Sequence, residues 1–169
     1  MTFRIRVAEP DDAWNILRYL KQVGGESDHL LIDEGGLPIS EAEEVSILQK
    51  MKDDTGACML VGEVNDELTA IASYQASSNQ RIAHHAELAV SVKKARWGKG
   101  IGRKMMEALI DEAAKSERIR ILHLKVKADN ERAIRLYKRL GFQEIGRFES
   151  FFHIEGTDYD AVLMNLKMR

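Results

Sequence analysis

Hydrophobic residues along the chain follow two different periods, and each change of period separates a strand from a helix. Short apolar or alternating runs predict strands at 3–8, 57–64, 67–76, 82–92 and 119–127, and a last hairpin from 142 to 153 and 159 to 168. Helical spacing predicts helices at 10–23, 40–53, 100–116 and 131–140. This order of elements predicts a mixed α/β domain with helices packed on a sheet, and it lacks the repeated βαβ units of a dinucleotide-binding fold.

Local signals mark the ends of these elements. Pro10 suits the first turn of a helix, and the Gly24–Gly25 pair is predicted to stop that helix. Ser40 to Glu43 has the order of a capping box. Asn65–Asp66 predicts a tight hairpin turn, and Asn130 is placed to cap the last helix.

Composition narrows the class of protein. The 169 residues are predicted to form a single domain, residues 1–169, and the content of 44% hydrophobic and 31% charged residues is typical of a globular protein. A net charge of −2 gives no reason to expect nucleic acid as a partner. One cysteine excludes an intrachain disulfide, and no run approaches the ~18 apolar residues of a membrane span. The charged start M-T-F-R-I-R-V does not look like a signal peptide, so a cytoplasmic location is the expectation.

The stretch from Val90 to Met106 is the most informative part of the sequence. An apolar strand ends at Val92, and glycines follow at every second position from 98 to 102, just before a helix pattern. Glycines at a helix N-terminus let backbone N–H groups approach an anion, and the helix dipole favours the negative charge. The spacing fits neither a P-loop, because Lys104 is followed by Met105, nor a G-x-G-x-x-G dinucleotide turn. The sequence therefore predicts a site for a different phosphate-bearing cofactor.

Two motifs together resemble the GNAT superfamily of N-acetyltransferases. The segment W-G-K-G-I-G, Trp97 to Gly102, resembles the acetyl-CoA signature Arg/Gln-x-x-Gly-x-Gly/Ala, with Trp97 in place of the first residue and Arg96 just before it. The segment 129–142 resembles Asn-x-x-Ala-x-x-Leu-Tyr-x-x-x-Gly-Phe. Its matching residues are Asn130, Ala133, Leu136, Tyr137, Gly141 and Phe142. With the order of elements, the resemblance covers nearly the whole chain.

The resemblance implies a fold and a cofactor. It implies a twisted, mostly antiparallel sheet of about seven strands with four helices, in which the fourth and fifth strands run parallel and splay apart. Acetyl-CoA would lie with its pantetheine arm in that gap, where its amides pair with strand main-chain groups, and with its pyrophosphate at the glycine turn. The cofactor-binding residues expected on this basis are Val90, Ser91, Val92, Trp97, Gly98, Lys99, Gly100, Ile101, Gly102, Arg103, Asn130, Ala133 and Tyr137.

Acetyl transfer to an amine needs a neutral amine and a proton for the departing thiolate. The resemblance makes Tyr137 the expected general acid, although its apolar helix face also suits a packing role. Glu87, on the fourth strand, is the candidate base; alternation places it on the face opposite Leu88, and an ordinary strand carboxylate is the competing reading. Nearby imidazoles could also accept the proton near neutrality: those of His84, His85 and His123. No spacing among them supports a zinc site, and no metal is expected.

The acceptor amine is expected beside the irregular residues 25–44 and the hairpin turn 148–158. The first segment is acidic, which would attract a cationic amine of a small molecule (polyamine, amino acid or amino sugar) or of a peptide, although solvated loop acids would look the same. A non-catalytic acyl-CoA sensor on the same fold is the alternative function. Homodimerisation is expected from the resemblance alone.

Overall fold

The computed structural model describes residues 2–168, which form a seven-stranded sheet with helices on both faces. The strands are β1 (Phe3–Val7), β2 (Ala57–Val64), β3 (Glu67–Ala76), β4 (His85–Val92), β5 (Ile121–Lys127), β6 (Gln143–Ile154) and β7 (Thr157–Lys167). The helices are α1 (Ala13–Glu26), α2 (Glu41–Asp53), α3 (Ile101–Lys115) and α4 (Glu131–Arg139). The spatial order of the strands is β1-β2-β3-β4-β5-β7-β6, and neighbours are antiparallel except β4 and β5. The mixed fold predicted from the sequence is thereby confirmed.

Most predicted boundaries hold to within two residues, because local chemistry determines them. Asn65 and Asp66 both have positive φ, as a two-residue hairpin turn requires. The Ser40 hydroxyl accepts a hydrogen bond from the Glu43 amide at the start of α2.

Two boundary predictions were wrong. The helix α1 continues through the Gly24–Gly25 pair to Glu26. A Cβ at Gly24 would lie 2.0 Å from the Asp33 carbonyl oxygen, so this glycine permits a close approach of the following loop and does not end the helix. The fourth strand begins at His85, three residues later than expected, because residues 79–82 close a hydrogen-bonded turn.

Each face of the sheet has its own core. On one face α1 and α2 pack their apolar sides on β2 and β3, around Ile16, Leu48 and Val61. On the other face α3 and α4 cover the centre of the sheet, where Met105 and Leu109 are fully buried. The helical spacing of these residues in the sequence accounts for both layers. No helix among residues 2–168 is long and apolar enough to cross a membrane.

The seam between β4 and β5 divides the sheet. The two strands pair only through His85–Ile121, Ala86–Leu122 and Glu87–His123, and then separate. Each strand stays paired with its other neighbour past the point of separation, β4 with β3 from Ala86 to Val92 and β5 with β7 from Ile121 to Lys127. The separation therefore leaves both half-sheets intact, and it opens a gap that begins after Glu87.

A carboxylate–guanidinium network fastens the β1 edge to the sheet. The nearly buried Glu63 carboxylate accepts hydrogen bonds from Arg4 at 2.6 Å and Arg6 at 2.9 Å, and Arg6 also donates to Asp12. Hydrogen bonding from Arg4 holds the pKa of Glu63 below its ordinary value, and hydrogen bonding from Arg6 does the same for the pKa of Asp12.

We expect Glu63→Gln to lower the free energy of unfolding at pH 7 by about 1–3 kcal/mol, because hydrogen bonds to a charged group contribute on that scale. Carboxyl groups with lowered folded pKa values stabilise the protein above their unfolded values, 4.5 for Glu and 3.8 for Asp. That stability is lost as pH falls through the lower folded values. In urea denaturation, the free energy of unfolding should therefore fall less steeply between about pH 5 and pH 3 in the variant than in wild type. Glu117→Gln, at an exposed carboxylate, is the control. If the free energy of unfolding of Glu63→Gln fell with pH as steeply as that of wild type, the network's role would be contradicted.

Candidate functional site

A cavity of about 670 Å³ lies where the gap between β4 and β5 meets the glycine turn and α4. Most of the predicted cofactor residues line it: Val90, Ser91, Val92, Trp97, Gly98, Gly100, Ile101, Gly102, Arg103, Asn130, Ala133 and Tyr137. The fold thus brings the two sequence motifs together, although about thirty residues separate them. Lys99 lies outside the lining.

The glycine turn forms an open cradle at the start of α3. Gly98 and Gly100 have φ of 77° and 78°, a conformation that other residues adopt only with strain. A Cβ at Gly100 would meet no protein atom within 4 Å, so the space above the turn is free. The first amide of α3 with a helical partner is that of Lys104, which donates to the Gly100 carbonyl oxygen. The amides of residues 101–103 precede it and can donate to an anion in the cradle.

Trp97 has a structural role that the motif did not indicate. Its indole N–H donates to the Val92 carbonyl oxygen at 2.8 Å, and its backbone amide donates to Lys94. The side chain thereby ties the turn to the end of β4. Lys94 also lies over the indole ring, 5.9 Å from its centre. The departure from the family pattern at this position is compensated by a contact that fixes the same turn.

The alternation of β4 decides which main-chain groups face the gap. The Lys93 amide donates to the Thr69 carbonyl oxygen, so residues 93 and 91 direct their main-chain groups toward β3. Val90 and Val92 consequently direct theirs toward the gap, where β5 offers them no paired residue. Ser91 reaches the other side through its hydroxyl, which lies 3.0 Å from the Tyr19 hydroxyl of α1. Of the three residues expected to pair with an extended ligand, only Val90 and Val92 present backbone to the gap.

Tyr137 directs its hydroxyl into the cavity. Its ring packs against Phe142, and the residue is only 8% exposed. The hydroxyl makes no hydrogen bond to any residue between 2 and 168, and no fully buried side-chain oxygen in that range lacks a partner. The hydroxyl is therefore reached from the cavity. Burial raises the pKa of Tyr137 to about 12, so the phenol keeps its proton at neutral pH.

Glu87 lies on the opposite face of the sheet from Tyr137. Its register in β4 has no bulge, and it shares a face with Ser91, on which α1 packs. Its carboxylate forms an ion pair with Lys125 of β5. Glu87 does not line the cavity, but it pairs with His123 at the point where the gap begins. The predicted face of Glu87 is confirmed, while its use as a base stays a prediction.

The loop after α1 closes one side of the cavity, whereas the sequence placed this segment only beside the acceptor. His29 and Leu30 line the cavity, and this loop is attached to the end of β5 by Lys127. The Lys127 ammonium group lies 3.1 Å from Asp129 and 3.5 Å from Asp28, above the Tyr159 ring. The side chain of Lys127 is 2% exposed; burial disfavours its charge, but the two carboxylates outweigh that effect and raise its pKa. In the sequence, the position of Lys127 at the end of an apolar strand was the only signal for this contact.

Basic residues of α4 form the outer wall of the cavity. Their positions, i, i+3 and i+7, place them on one helical face, so the periodicity could have revealed them. They are Arg132, Arg135 and Arg139. Arg132 reaches the glycine turn, with a guanidinium nitrogen 3.7 Å from the Cβ position at Gly98. This wall adds positive charge beside the anion cradle.

The acidic character of residues 25–44 is partly used inside the protein. A Glu26 carboxylate oxygen accepts a hydrogen bond from the Lys94 amide, and Asp28 pairs with Lys127. Glu44 is 2% exposed, and burial raises its pKa. The expected acidic rim is therefore weaker than the count of acids in the sequence indicates.

The model for the acetyltransferase (GNAT) family matches residues 28–142, more than half of the chain, and the chain belongs to this family. The crystal structure of an acetyltransferase of the GNAT family from Streptococcus pneumoniae has a TM-score of 0.95 and 29% identity, covering 98% of this chain and 99% of that chain. The splayed, mostly antiparallel sheet that the resemblance implied is confirmed.

Two of the relatives with named activities show the range of the similarity. An L-methionine sulfoximine/L-methionine sulfone acetyltransferase from Salmonella typhimurium is 35% identical over 114 residues, 67% of this chain and 66% of that protein. The N-alpha-acetyltransferase RimI from Mycobacterium tuberculosis is 35% identical over 69 residues, 41% of each chain. The similarity thus spans less than two thirds of the length of either relative.

The cradle at Gly100 gives a direct test with a matched control. We expect Gly100→Leu to weaken coenzyme A binding about 100-fold in calorimetry, because losing two amide–phosphate hydrogen bonds of about 1.5 kcal/mol each has that effect. Gly156→Leu is the control, since Gly156 also has positive φ, 80°, and no neighbour within 4 Å of its Cβ position. Both variants carry the same backbone strain, about 1–2 kcal/mol. Equal affinity of the two variants would refute the cradle.

Proposed function

We propose that the protein is an acetyl-CoA-dependent N-acetyltransferase that acetylates a primary amine of a small molecule or a peptide. The observation that carries the proposal is one cavity that combines an anion cradle, unpaired strand main chain and a protonated tyrosine hydroxyl. The family match supports the same reaction.

The residues present fit coenzyme A in three places. The amides of residues 101–103 and the arginines of α4 would hold its phosphates. The main-chain groups of Val90 and the amide of Val92 would pair with the amides of its extended arm, as an added strand does, while the Val92 carbonyl oxygen already accepts the Trp97 indole N–H. Asn130 caps α4 by accepting a hydrogen bond from the Ala133 amide at 3.3 Å, and both residues would lie against the arm.

The bound thioester supplies an activated acetyl carbonyl carbon and a sulfur leaving group. Tyr137 lies on the α4 side of the gap, where its O–H can donate to the departing sulfur. Glu87 lies on the α1 side, from which the acceptor would enter, and it is a candidate base beside the nearby imidazoles, or a group that orients the acceptor. The two groups thus approach one reaction centre from opposite faces of the sheet.

The acceptor is proposed to lie on the α1 face, above the point where the gap begins. Ala89 and Glu87 of β4 are exposed there, and Lys125 stacks on the Phe151 ring of β6. The loop at residues 27–30 borders this area beside β5. The relative named for L-methionine sulfone and the relative named for N-alpha-acetylation support an amine of the α-amino type as the first acceptor to try.

Thiol release from acetyl-CoA across a panel of amines tests the proposal. The panel contains L-methionine sulfone, spermidine, an aminoglycoside and a peptide with a free N-terminal alanine. We expect at least one amine to give stoichiometric N-acetyl product by mass spectrometry. Tight acetyl-CoA binding without turnover of any amine would favour the non-catalytic sensor and refute the enzyme.

Tyr137→Phe tests the general acid. We expect kcat to fall about 100-fold, at the low end for general acid catalysis, because the raised pKa makes the phenol a weak acid. The dissociation constant for acetyl-CoA should not change, since the ring keeps its packing on Phe142. An unchanged kcat would mean that water protonates the thiolate.

A further inference from the structure

Four polar side chains meet on the acceptor face where β4 and β5 part. His85 and Glu87 come from β4, and His123 and Lys125 come from β5. Leu122 and Leu124 are buried among α3 and α4, so the residues between and beside them on β5 point to the opposite face, toward the acceptor. Glu87 and His123 form the last pair of the seam. If the proposed function holds, a thioester at the inner end of the gap lies beside this pair.

The four side chains form two bonded pairs of different character. Glu87 is in an ion pair with Lys125, so one oxygen of its carboxylate is already engaged by a cation. His85 Nδ1 lies 3.0 Å from His123 Nε2, which joins the two imidazoles by a hydrogen bond. The outer nitrogens, His85 Nε2 and His123 Nδ1, make no hydrogen bond to any residue in the described range 2–168. The imidazole pair is half-buried and the carboxylate is exposed.

The hydrogen bond between the rings gives the pair one free lone pair in either tautomer. If His123 donates through Nε2, its Nδ1 carries a lone pair and His85 carries N–H at Nε2. If His85 donates through Nδ1, the two outer positions exchange these roles. A proton taken up at one outer nitrogen can therefore leave from the other, because the shared proton shifts between the rings.

We propose that the His85–His123 pair takes the proton from the acceptor amine, and that Glu87 with Lys125 forms the wall that orients the acceptor. This inference rests on the proposed function. The acceptor ammonium group gives one proton to the imidazole pair, which releases it to solvent. The amine nitrogen then bonds to the thioester carbonyl carbon, and the C–S bond breaks. The nitrogen loses its second proton to the imidazole pair, which again releases it to solvent. The departing sulfur takes one proton from Tyr137, and solvent returns a proton to that hydroxyl, so one proton is released overall.

The surroundings of His123 favour the neutral imidazole that a base requires. Burial lowers the pKa of His123 below 6.5; the charge of Glu87 opposes this effect, and the charges of His85 and Lys125 add to it. On the neighbouring strand β7, the residue opposite His123 is Asn165, and the Asn165 side chain carries no charge. His84 stacks edge-on against His85, with ring centres 5.3 Å apart. Protonation of His123, and with it loss of the base, is therefore expected only below the ordinary imidazole value of 6.5.

The test replaces each imidazole by an amide that preserves the hydrogen bond without titrating. His85→Asn and His123→Gln are compared with wild type and Glu87→Gln, using the amine with the highest turnover and kcat measured from about pH 5 to pH 9. Each histidine variant should lose about 100-fold in kcat at pH 7, with unchanged acetyl-CoA affinity. Its kcat should also lack the acid limb, which is the fall of wild-type kcat as the pH drops and the imidazole becomes protonated. Glu87→Gln should raise KM for the acceptor and keep the acid limb. His153→Gln, at an exposed imidazole paired with Asp158, should also keep it.

An acceptor that needs no base separates proton removal from a merely structural role. With an alkoxyamine, whose nitrogen is unprotonated at neutral pH, the histidine variants should recover to within about tenfold of wild type. An equal loss of kcat with both acceptors would overturn proton transfer through the His85–His123 pair. Disappearance of the acid limb in Glu87→Gln alone would also overturn it. No turnover of any amine by the wild-type protein would instead refute the transferase itself, and this proton transfer with it.

Discussion

The three-residue seam between β4 and β5 is the constraint on which the rest of this structure depends. Both strands stay paired with their outer neighbours past the point of separation, so the sheet separates at one place without exposing a frayed strand. Main-chain groups left in such a gap are costly unless something pairs with them, and an extended ligand with its own amides meets that need. The geometry that weakens the sheet is thus the geometry that creates the binding site.

The seam also divides the proposed catalytic groups between the two faces of the sheet. Tyr137 approaches the gap from the layer of α3 and α4, in which it is buried. The imidazole pair and Glu87 approach from the layer of α1, where the sheet surface is partly open. In the proposed reaction, a donor thioester in the gap is reached by the Tyr137 hydroxyl on one side and by the amine on the other. Neither group needs to displace the other, because the sheet itself separates them.

Charge networks hold the walls of the site in place. The loop after α1 is attached through Asp28 to Lys127, whose burial would be costly without its carboxylate partners. At the other end Glu26 accepts a hydrogen bond from the Lys94 amide, which joins the end of α1 to the glycine turn. Some of the acids that look like an attractive rim in the sequence are thus internal partners. For this reason local charge gives little information on the acceptor.

The sequence by itself determined the order of elements, their turns and caps, and the glycine cradle, because each depends on residues close together in the chain. It also indicated Tyr137 and the face of Glu87 through two motifs and strand alternation. It misjudged Gly24, whose role depends on a loop nine residues away. It assigned residues 25–44 to the acceptor but did not indicate that this loop also lines the cavity and contacts Lys127 through Asp28. The sequence indicated His85 and His123 as separate candidates but did not predict the hydrogen bond between their rings. Only the parallel pairing of β4 and β5 brings those rings to 3.0 Å, because strand register is a property of the folded sheet.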